Sequence, residues 1–297
     1  MKRISIVLTA LCIAAALYSL DFQNADDLHE KGDYGTEFDL LQNMLYDSSN
    51  NSEKAEVFWR MARARLELTE LVERDGGSKE EILDGFQSGV NLAEDAIKED
   101  SSNYLAYFWH SANLGRWGQT KGILDSLDKA KPMRDDLEKA INANPGHSAS
   151  WRVLGMLYCQ VPGIISFGDK DAAVSLGRKS VDTREEADDF ENHFELAKIL
   201  AARDWSASKR NKSLSKKEQK FNKETNLLEK HFYYEGILDF DNTPGYAYMP
   251  LKEMSDMEEA KALLEWVDRQ LKRLPNKQPG DYQLMDDVKL ELDSLNG

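Results

Sequence analysis

The sequence predicts an all-α protein in which helical hairpins stack into a solenoid. Apolar residues recur at helical spacing along almost the whole chain, which favours amphipathic helices. No long segment alternates apolar and polar residues between turn signals, so no β-sheet is predicted. The third observation is a repeat-like phrase at residues 151–158. We therefore expect one solenoid domain over residues 20–297, with insertions between paired helices and a capping helix at its C-terminal end.

The repeat-like phrase reads WRVLGMLY. Its residues Trp151, Leu154 and Tyr158 fall on one face of a helix, and Gly155 lets a neighbouring helix come close to the backbone. Pro145, six residues before the phrase, helps to end the preceding helix. The phrase matches the tetratricopeptide pattern W-x2-L-G-x2-Y at every specified position. Such repeats stack into solenoids, which bind other molecules more often than they catalyse reactions.

Turn residues divide the rest of the chain into helical segments. Gly32 and the polar run at 48–52 punctuate the first hairpin, and the glycine pair at 76–77 ends a long helix. Ser78 and Glu81 form a capping box for the helix that follows. An irregular segment rich in aromatic residues is predicted over 233–254. The predicted helices include 21–31, 35–46, 53–74, 103–117, 186–205, 214–232, 256–274 and 282–295.

Two consecutive repeats contain insertions at the same place. Ser111 occupies the small-residue position of the repeat, yet its separation from Ala140 is about ten residues longer than a plain 34-residue repeat allows. The extra residues fall around 118–131. The next repeat is also stretched, over 161–169. We expect paired insertions on one rim of the solenoid.

The overall charge of the chain excludes some classes of function. The formal net charge is −15 and the mean hydropathy is −0.60, which argue against a nucleic-acid binder and a polytopic membrane protein. A basic stretch at 209–223 stands out in this acidic chain. We interpret it as a solvated helix end between the helix at 186–205 and its predicted partner at 214–232; the alternative is a site for an acidic partner.

The first 19 residues have the composition of a signal peptide. A basic pair at 2–3 precedes an apolar run at 4–17, and small residues lead to a cleavage site near Ser19. This predicts a periplasmic or extracellular protein with no transmembrane span in the mature chain. Lipid attachment at Cys12 is not expected, because the preceding Leu11 is large. The mature chain then has one thiol, Cys159, which we expect to be buried.

The motifs of common catalytic and metal sites are missing from the sequence. There is no H-E-x-x-H, C-x-x-C, phosphate-binding glycine loop or G-x-S-x-G. Adjacent carboxylates on a helix point about 100° apart and usually face water. We therefore predict a protein that is not an enzyme and that needs no cofactor or metal.

The candidate binding residues are aromatic and polar side chains around the first helices of two repeats. Trp109 and Trp117 lie outside the core positions of the repeat, whereas Tyr107 and Trp151 occupy them. We expect the four rings to lie together on the concave face, where exposed aromatic residues can bind a peptide or a small organic ligand. The predicted site comprises Tyr107, Trp109, Asn113, Arg116, Trp117 and Trp151.

Longer phrases carry a family resemblance. FWRMARARLEL from Phe58, YFWHSANLGRWGQTKGI from Tyr107, WRVLGMLYCQVPG from Trp151 and the ending LPNKQPGDYQLMDDVKLELDSL from Leu274 occur in one order. This succession resembles the regulator of microtubule dynamics family and its bacterial relatives. More loosely, it resembles the periplasmic tetratricopeptide lipoprotein of TRAP-type transporters. The resemblance implies an all-helical interaction protein with no known catalytic residues.

Two functions are compatible with these observations. The first is a non-catalytic envelope scaffold that binds a protein partner, such as a transporter or another envelope protein, through its concave face. The second is an accessory component of a TRAP-type transporter that binds or passes a small organic ligand. A deep pocket lined by Trp109, Asn113, Arg116 and Trp117 would favour the second function. The oligomeric state is open.

Overall fold

The protein is an array of α-helices, as the sequence predicts. The computed structural model describes residues 20–122, 124–183 and 190–296, and no β-strand occurs within them. The signal-peptide prediction for residues 1–19 lies outside the described residues. Two short 3₁₀ helices occur, at Tyr234–Ile237 and Leu251–Glu253. The helices are α1 Gln23–Glu30, α2 Tyr34–Asp47, α3 Asn51–Arg74, α4 Lys79–Glu99, α5 Tyr104–Lys121, α6 Leu127–Ala143, α7 Ser148–Gln160, α8 Lys170–Asp182, α9 Phe190–Arg203, α10 Ala207–Lys223, α11 Leu227–His231, α12 Asp256–Arg273 and α13 Pro279–Asn296.

Local sequence signals set several helix ends. Ser78 and Glu81 form the predicted capping box at the start of α4, and Ser255 with Glu258 forms another at the start of α12. Each pair satisfies backbone N–H groups that have no partner within the helix. At the end of α3, Gly76 has a φ of +80°, a conformation that glycine adopts without strain. These signals act within a few residues, so the sequence locates them well.

The repeat at α7 and α8 packs as its pattern predicts. Trp151, Leu154 and Tyr158 are buried in the main core. A Cβ atom on Gly155 would lie 3.2 Å from the carbonyl oxygen of Ala173 and 3.3 Å from the backbone nitrogen of Gly177. The two helices therefore approach each other through a position that has no side chain.

The two insertions differ in form. The first is mostly absorbed by longer helices, because α5 continues to Lys121 and α6 begins at Leu127. The second is a true loop over 161–169, as predicted, in which Ile164 is 99% exposed. Both connections follow the first helix of a hairpin, so they lie on the same rim of the solenoid. Leu124 is also exposed, in the shorter connection.

The helix that pairs with α9 is not the one that the sequence predicts. The predicted partner was the next helical segment, at 214–232, but α9 packs mainly against α12. The reason is composition. The buried residues of α10 are Arg210 and Lys217, whereas α12 buries an apolar face that includes Leu263 and Val267. The segment from α10 to the second 3₁₀ helix is thus an insertion between two packed helices.

The structure also contradicts the interpretation of the basic stretch at 209–223 as a solvated helix end. It lies within α10, where Arg210 and Lys217 are 0% and 3% exposed. Their acidic partners belong to the same chain. The resulting ion network contains the cations Arg178, Arg203, Arg210 and Lys217 and the anions Asp171, Glu235, Asp256 and Glu259. Because buried charges must be paired, this network attaches the insertion to α8, α9 and α12.

The C-terminal helix α13 does more than cap the last hairpin. It packs against α12 and α9, with Val288 fully buried. Its N-terminal end also reaches the first hairpins. Gln283 accepts a hydrogen bond from Arg74 at the end of α3, and Pro279 lies against Gly32 after α1. The helix therefore connects the two ends of the array.

Two smaller predictions concern membranes and the thiol. Within the described residues, no helix is both long and apolar enough to cross a bilayer.

Cys159 is half-buried rather than fully buried, and burial raises the pKa of its thiol. A raised thiol pKa lowers reactivity, which is consistent with a structural role for this residue.

Candidate functional site

A cavity opens among the first helices of successive hairpins. Its volume is about 290 Å³, and α3, α5, α6, α7 and α9 contribute to its wall. Phe108 and Trp109 from α5 form an aromatic part of the lining. Met133 from α6 and Met156 from α7 add flexible apolar surface. Methionine adapts its shape to different contacts, so this lining suits an apolar group of a bound molecule.

Charged side chains line the same cavity. Arg116 on α5 contacts two carboxylates of α3: its Nε lies 2.8 Å from Glu70 Oε1, and its Nη2 lies 2.5 Å from Glu73 Oε2. On the other side, Arg152 of α7 pairs with Glu191 of α9. The cavity thus combines an apolar lining with ion pairs. A charged ligand can replace one member of such a pair.

Glu67 is a further acidic residue of the lining. Burial, together with Glu70 and Glu191, raises its pKa to about 7. Its neighbour Tyr34 donates a hydrogen bond to it, and burial with the nearby Glu67 charge raises the pKa of this tyrosine to about 12. Burial also raises the pKa of Glu70. Glu67 therefore changes charge near neutral pH.

The effect of Glu67 on folding can be tested by Glu67→Gln. The folded pKa lies above the unfolded value of 4.5, so its favourable contribution is complete below pH 4.5 and is lost as the pH rises through about 7. The variant keeps a neutral side chain at every pH. We expect its stability relative to the wild type to rise by about 2–3 kcal/mol between pH 4.5 and pH 8, measured by urea unfolding. A stability difference that stays constant between pH 4.5 and pH 8 would refute this expectation. Asp84→Asn, which changes an exposed carboxylate, is the control.

The structure brings two of the six predicted site residues to the cavity. These are Trp109 and Arg116, both on α5. The indole Nε1 of Trp109 is buried and has no hydrogen-bond acceptor in the part of the chain that the structure describes. A buried donor without an acceptor is unfavourable, so an oxygen atom supplied by a bound molecule would stabilise this position.

The other four predicted residues lie elsewhere, and the four rings do not meet on one surface. Trp151 is fully buried and donates from Nε1 to the carbonyl oxygen of Pro145, 2.9 Å away. Tyr107 lies beneath the ammonium group of Lys139. Trp117 packs, as Trp109 also does, against the small cluster around Phe86, but it does not line the cavity. Trp151 keeps the core position that the repeat pattern assigns to it. The core position predicted for Tyr107 is wrong, because its ring is only half-buried while its neighbours Ala106 and Phe108 are buried.

Asn113 is fully buried and connects three helices. Its amide nitrogen donates to the carbonyl oxygens of Ala62 on α3 and Trp109 on α5, at 3.2 and 2.9 Å. Its side chain also fills the space above Gly89 on α4, where an added Cβ would lie 1.9 Å from Asn113 Oδ1. The residue therefore holds helices together and is not available to a ligand.

A substitution at Gly89 tests this packing role. We expect Gly89→Ala to lower the free energy of unfolding by about 1–3 kcal/mol, because Asn113 must move and lose its hydrogen bonds. Gly35→Ala on α2 is the matched control, since nothing lies within 4 Å of its added Cβ. Chemical unfolding of the two variants provides the comparison. Equal stability of both would contradict the close packing.

Sequence reasoning missed several residues of the cavity. Arg152, Met156 and Gln160 recur every four residues along α7 and line it, on a different face from the core residues of the repeat phrase. Glu67 and Glu70 form a similar pair on α3. The sequence signal that could have identified these residues is the face of each first helix to which the repeat pattern assigns no core residue.

No metal centre is evident in the described ranges. Within residues 20–122, 124–183 and 190–296, no group of three or more histidine, cysteine or carboxylate residues is arranged to hold an ion. The predicted absence of a cofactor stays a prediction.

The helical hairpins and the groove among their first helices define a tetratricopeptide-like solenoid, the class of proteins that acts by binding others. The profile of the regulator of microtubule dynamics protein 1-3 family matches residues 21–225, which is more than half of the chain. The chain belongs to this family, and the predicted resemblance is confirmed.

Individual relatives match over shorter stretches. Regulator of microtubule dynamics protein 1 of Bos taurus is 28% identical over 145 residues, which are 48% of this chain and 43% of that protein. Regulator of microtubule dynamics protein 3 of Rattus norvegicus is 27% identical over 158 residues, 52% of this chain and 31% of the relative. The match thus spans less than half the length of either curated relative. A crystal structure of MamA covers 62% of this chain and 86% of its own, with 14% identity and a TM-score of 0.38.

Proposed function

We propose that this protein is a non-catalytic scaffold that binds a protein partner through the cavity among α3, α5, α7 and α9. The observation that carries the proposal is the combination of apolar and charged residues in the lining of one cavity. Protein recognition commonly uses an anchor side chain in an apolar pocket surrounded by polar contacts. Here the anchor would contact Trp109 and Met156, while Arg116 and Arg152 exchange partners at the edge.

The two methionines and the indole make specific demands on the partner. An apolar anchor fits against Met133 and Met156, and a backbone carbonyl beside it would accept the unpaired Nε1–H of Trp109. Basic groups near the anchor would meet Glu67, Glu70 and Glu191. The favoured partner is thus a peptide segment with an apolar residue flanked by lysine or arginine.

Capture of partners from cell extract tests this proposal. The full chain, tagged at its C-terminus, is incubated with extract of the source organism, and bound proteins are identified by mass spectrometry. We expect one prey to be lost with Trp109→Ala and with Met156→Ala, and to be kept with Tyr46→Ala, whose ring is 89% exposed and does not line the cavity. The prey is then purified to confirm direct binding. A prey set unchanged by the two cavity variants would count against this surface.

A second candidate function is an accessory role in a TRAP-type transporter. The observation in its favour is that Trp109 and Arg116 line a real cavity, whose volume of about 290 Å³ is close to the lower limit of small-molecule sites. Asn113 and Trp117 are not part of the lining. Native mass spectrometry of the purified protein would reveal a retained small organic ligand, and its absence together with a captured protein would favour the scaffold.

We also propose an envelope location and no enzymatic activity. The composition of residues 1–19 supports the first, and the interaction class of the family and fold supports the second. N-terminal sequencing of the protein from fractionated cells tests the location: a mature chain that begins near residue 20 in the envelope fraction supports it. An intact N-terminus in the cytoplasm would refute it and would reopen a cytoskeletal role of the kind for which the relatives are named.

A further inference from the structure

A second cavity lies at the junction of α8, α9 and α12 with the irregular segment that follows α11. Its volume is about 240 Å³, and it shares no lining residue with the first cavity. His193, Tyr246 and Trp266 form its aromatic wall, and Asp182 and Asp239 are its acidic residues. The volume is below the usual range of about 300–1,000 Å³ for drug-sized ligands, so a ligand here must be small.

The three rings form a fixed group. The centroids of His193 and Trp266 are 4.7 Å apart, and those of His193 and Tyr246 are 6.4 Å apart. The hydroxyl of Tyr246 donates to Glu259 at 2.7 Å, which holds its ring in place. Phe190 packs edge-on against Trp266, with ring centroids 5.7 Å apart. Aromatic faces attract cations through their quadrupole, most strongly where water is partly excluded.

The charges of this cavity do not favour an anion. Arg178 lines it, but all three of its guanidinium nitrogens already donate to carboxylates. Nε lies 3.0 Å from Glu235, and the two Nη atoms lie 2.9 and 2.8 Å from Glu259. The surrounding network of four cations and four anions is balanced. Three of the five N–H groups of Arg178 thus donate to carboxylates, and Glu235 and Glu259 already compensate its charge.

The acidic residues are differently placed. Asp182 and Asp239 are both exposed, on α8 and on the irregular segment. Asp182 accepts a hydrogen bond from Tyr234 and lies near Lys179. Asp239 accepts a hydrogen bond from the backbone of Asp241, and the nearby Lys252 pairs with the side chain of Asp241. Both carboxylates keep oxygen atoms that can meet a positive charge entering beside the rings.

We propose that this cavity binds a small organic cation, an amine or a quaternary ammonium compound, between the His193, Tyr246 and Trp266 rings and the carboxylates of Asp182 and Asp239. The rings supply cation–π attraction and apolar contact to the alkyl groups. The carboxylates add electrostatic attraction at longer range. Each of them contributes only modestly to binding, because it faces water. This site is independent of the partner-binding function proposed for the first cavity.

Choline is a suitable probe, and 3,3-dimethylbutan-1-ol is its neutral counterpart of nearly the same shape. The full chain is labelled with ¹⁵N at its tryptophan indoles and titrated at pH 8, where an ordinary imidazole is neutral. The Trp266 signal is assigned by its loss in Trp266→Phe. We expect choline to move this signal saturably, and the neutral alcohol to bind at least about tenfold more weakly.

Two exposed carboxylates provide a matched pair of variants. Asp239→Asn is expected to weaken choline binding about two- to fivefold, the size typical of an exposed ion pair. Glu218→Gln, which changes an exposed carboxylate of α10 outside the lining, is expected to leave it unchanged. Equal binding of the neutral alcohol would overturn the proposal. No saturable shift of Trp266 up to about 10 mM choline, ten times a millimolar Kd, would overturn it as well.

Discussion

Replacing Glu235 with alanine is expected to lower the free energy of unfolding by about 3–5 kcal/mol. Glu235 is fully buried and accepts hydrogen bonds from Arg178 at 3.0 Å, Arg203 at 2.7 Å and Lys217 at 2.5 Å. Its loss leaves three cations buried together without their shared anion. Helix α10 would be the first part of the insertion to detach, because its buried residues are the cations Arg210 and Lys217.

Urea unfolding of two separate variants, Glu235→Ala and Glu253→Ala, measures this effect. Glu253 belongs to the same insertion but is exposed, so its removal is expected to change stability by less than about 0.5 kcal/mol. Similar stabilities for the two variants would show that the network contributes no more than a surface pair. A lower unfolding slope in Glu235→Ala would indicate that the insertion has already separated in the native state.

The same network predicts how stability depends on acid. Burial opposes ionisation of Glu235, but Arg203, Arg178 and Lys217 outweigh it and hold the pKa of this carboxyl well below its usual range. For Glu259, Arg178 and Arg210 likewise outweigh burial and lower the pKa to about 2. Folded values below the unfolded 4.5 mean that this stabilisation is present above pH 4.5 and is lost as the pH falls toward 2. The stability gap between wild type and Glu235→Ala is therefore expected to narrow over that interval.

Replacing Trp151 with alanine is the second large effect, also about 3–5 kcal/mol. The Trp151 side chain is fully buried, with a relative solvent exposure of 0%. It lies in the main core, its ring is 4.7 Å from that of His231, and its Nε1 donates to Pro145. Alanine would leave a large cavity between α7 and its neighbours and an unpaired carbonyl.

Thermal unfolding compares Trp151→Ala with Tyr248→Ala, whose ring is 65% exposed and whose removal is expected to change stability little. A further variant, Trp151→Phe, separates packing from binding. It is expected to reduce stability while it keeps the partner captured by the wild type. Normal stability with loss of the partner would instead assign Trp151 to the binding surface, as the sequence-based site does.

The candidate site could be predicted in part because helical periodicity identifies faces but not neighbours. The sequence places Trp109 and Arg116 on one first helix, and both line the cavity. It also groups them with Asn113, whose amide instead satisfies backbone carbonyls of α3 and α5. Whether a polar residue on a helix faces a groove or a second helix depends on where that second helix lies. This information is absent from the local pattern.

What the sequence alone determined about this protein is its helical class, most turns, the capping boxes and the core positions of the repeat phrase. All of these depend on interactions between residues a few positions apart, or on steric rules such as the small side chain required at Gly155. The tertiary structure decided that α9 pairs with α12, that the cations of α10 are buried, and that α13 reaches back to α3. Those arrangements join segments that are distant in the chain, and they form because apolar surfaces and opposite charges find their partners only when the whole array is packed.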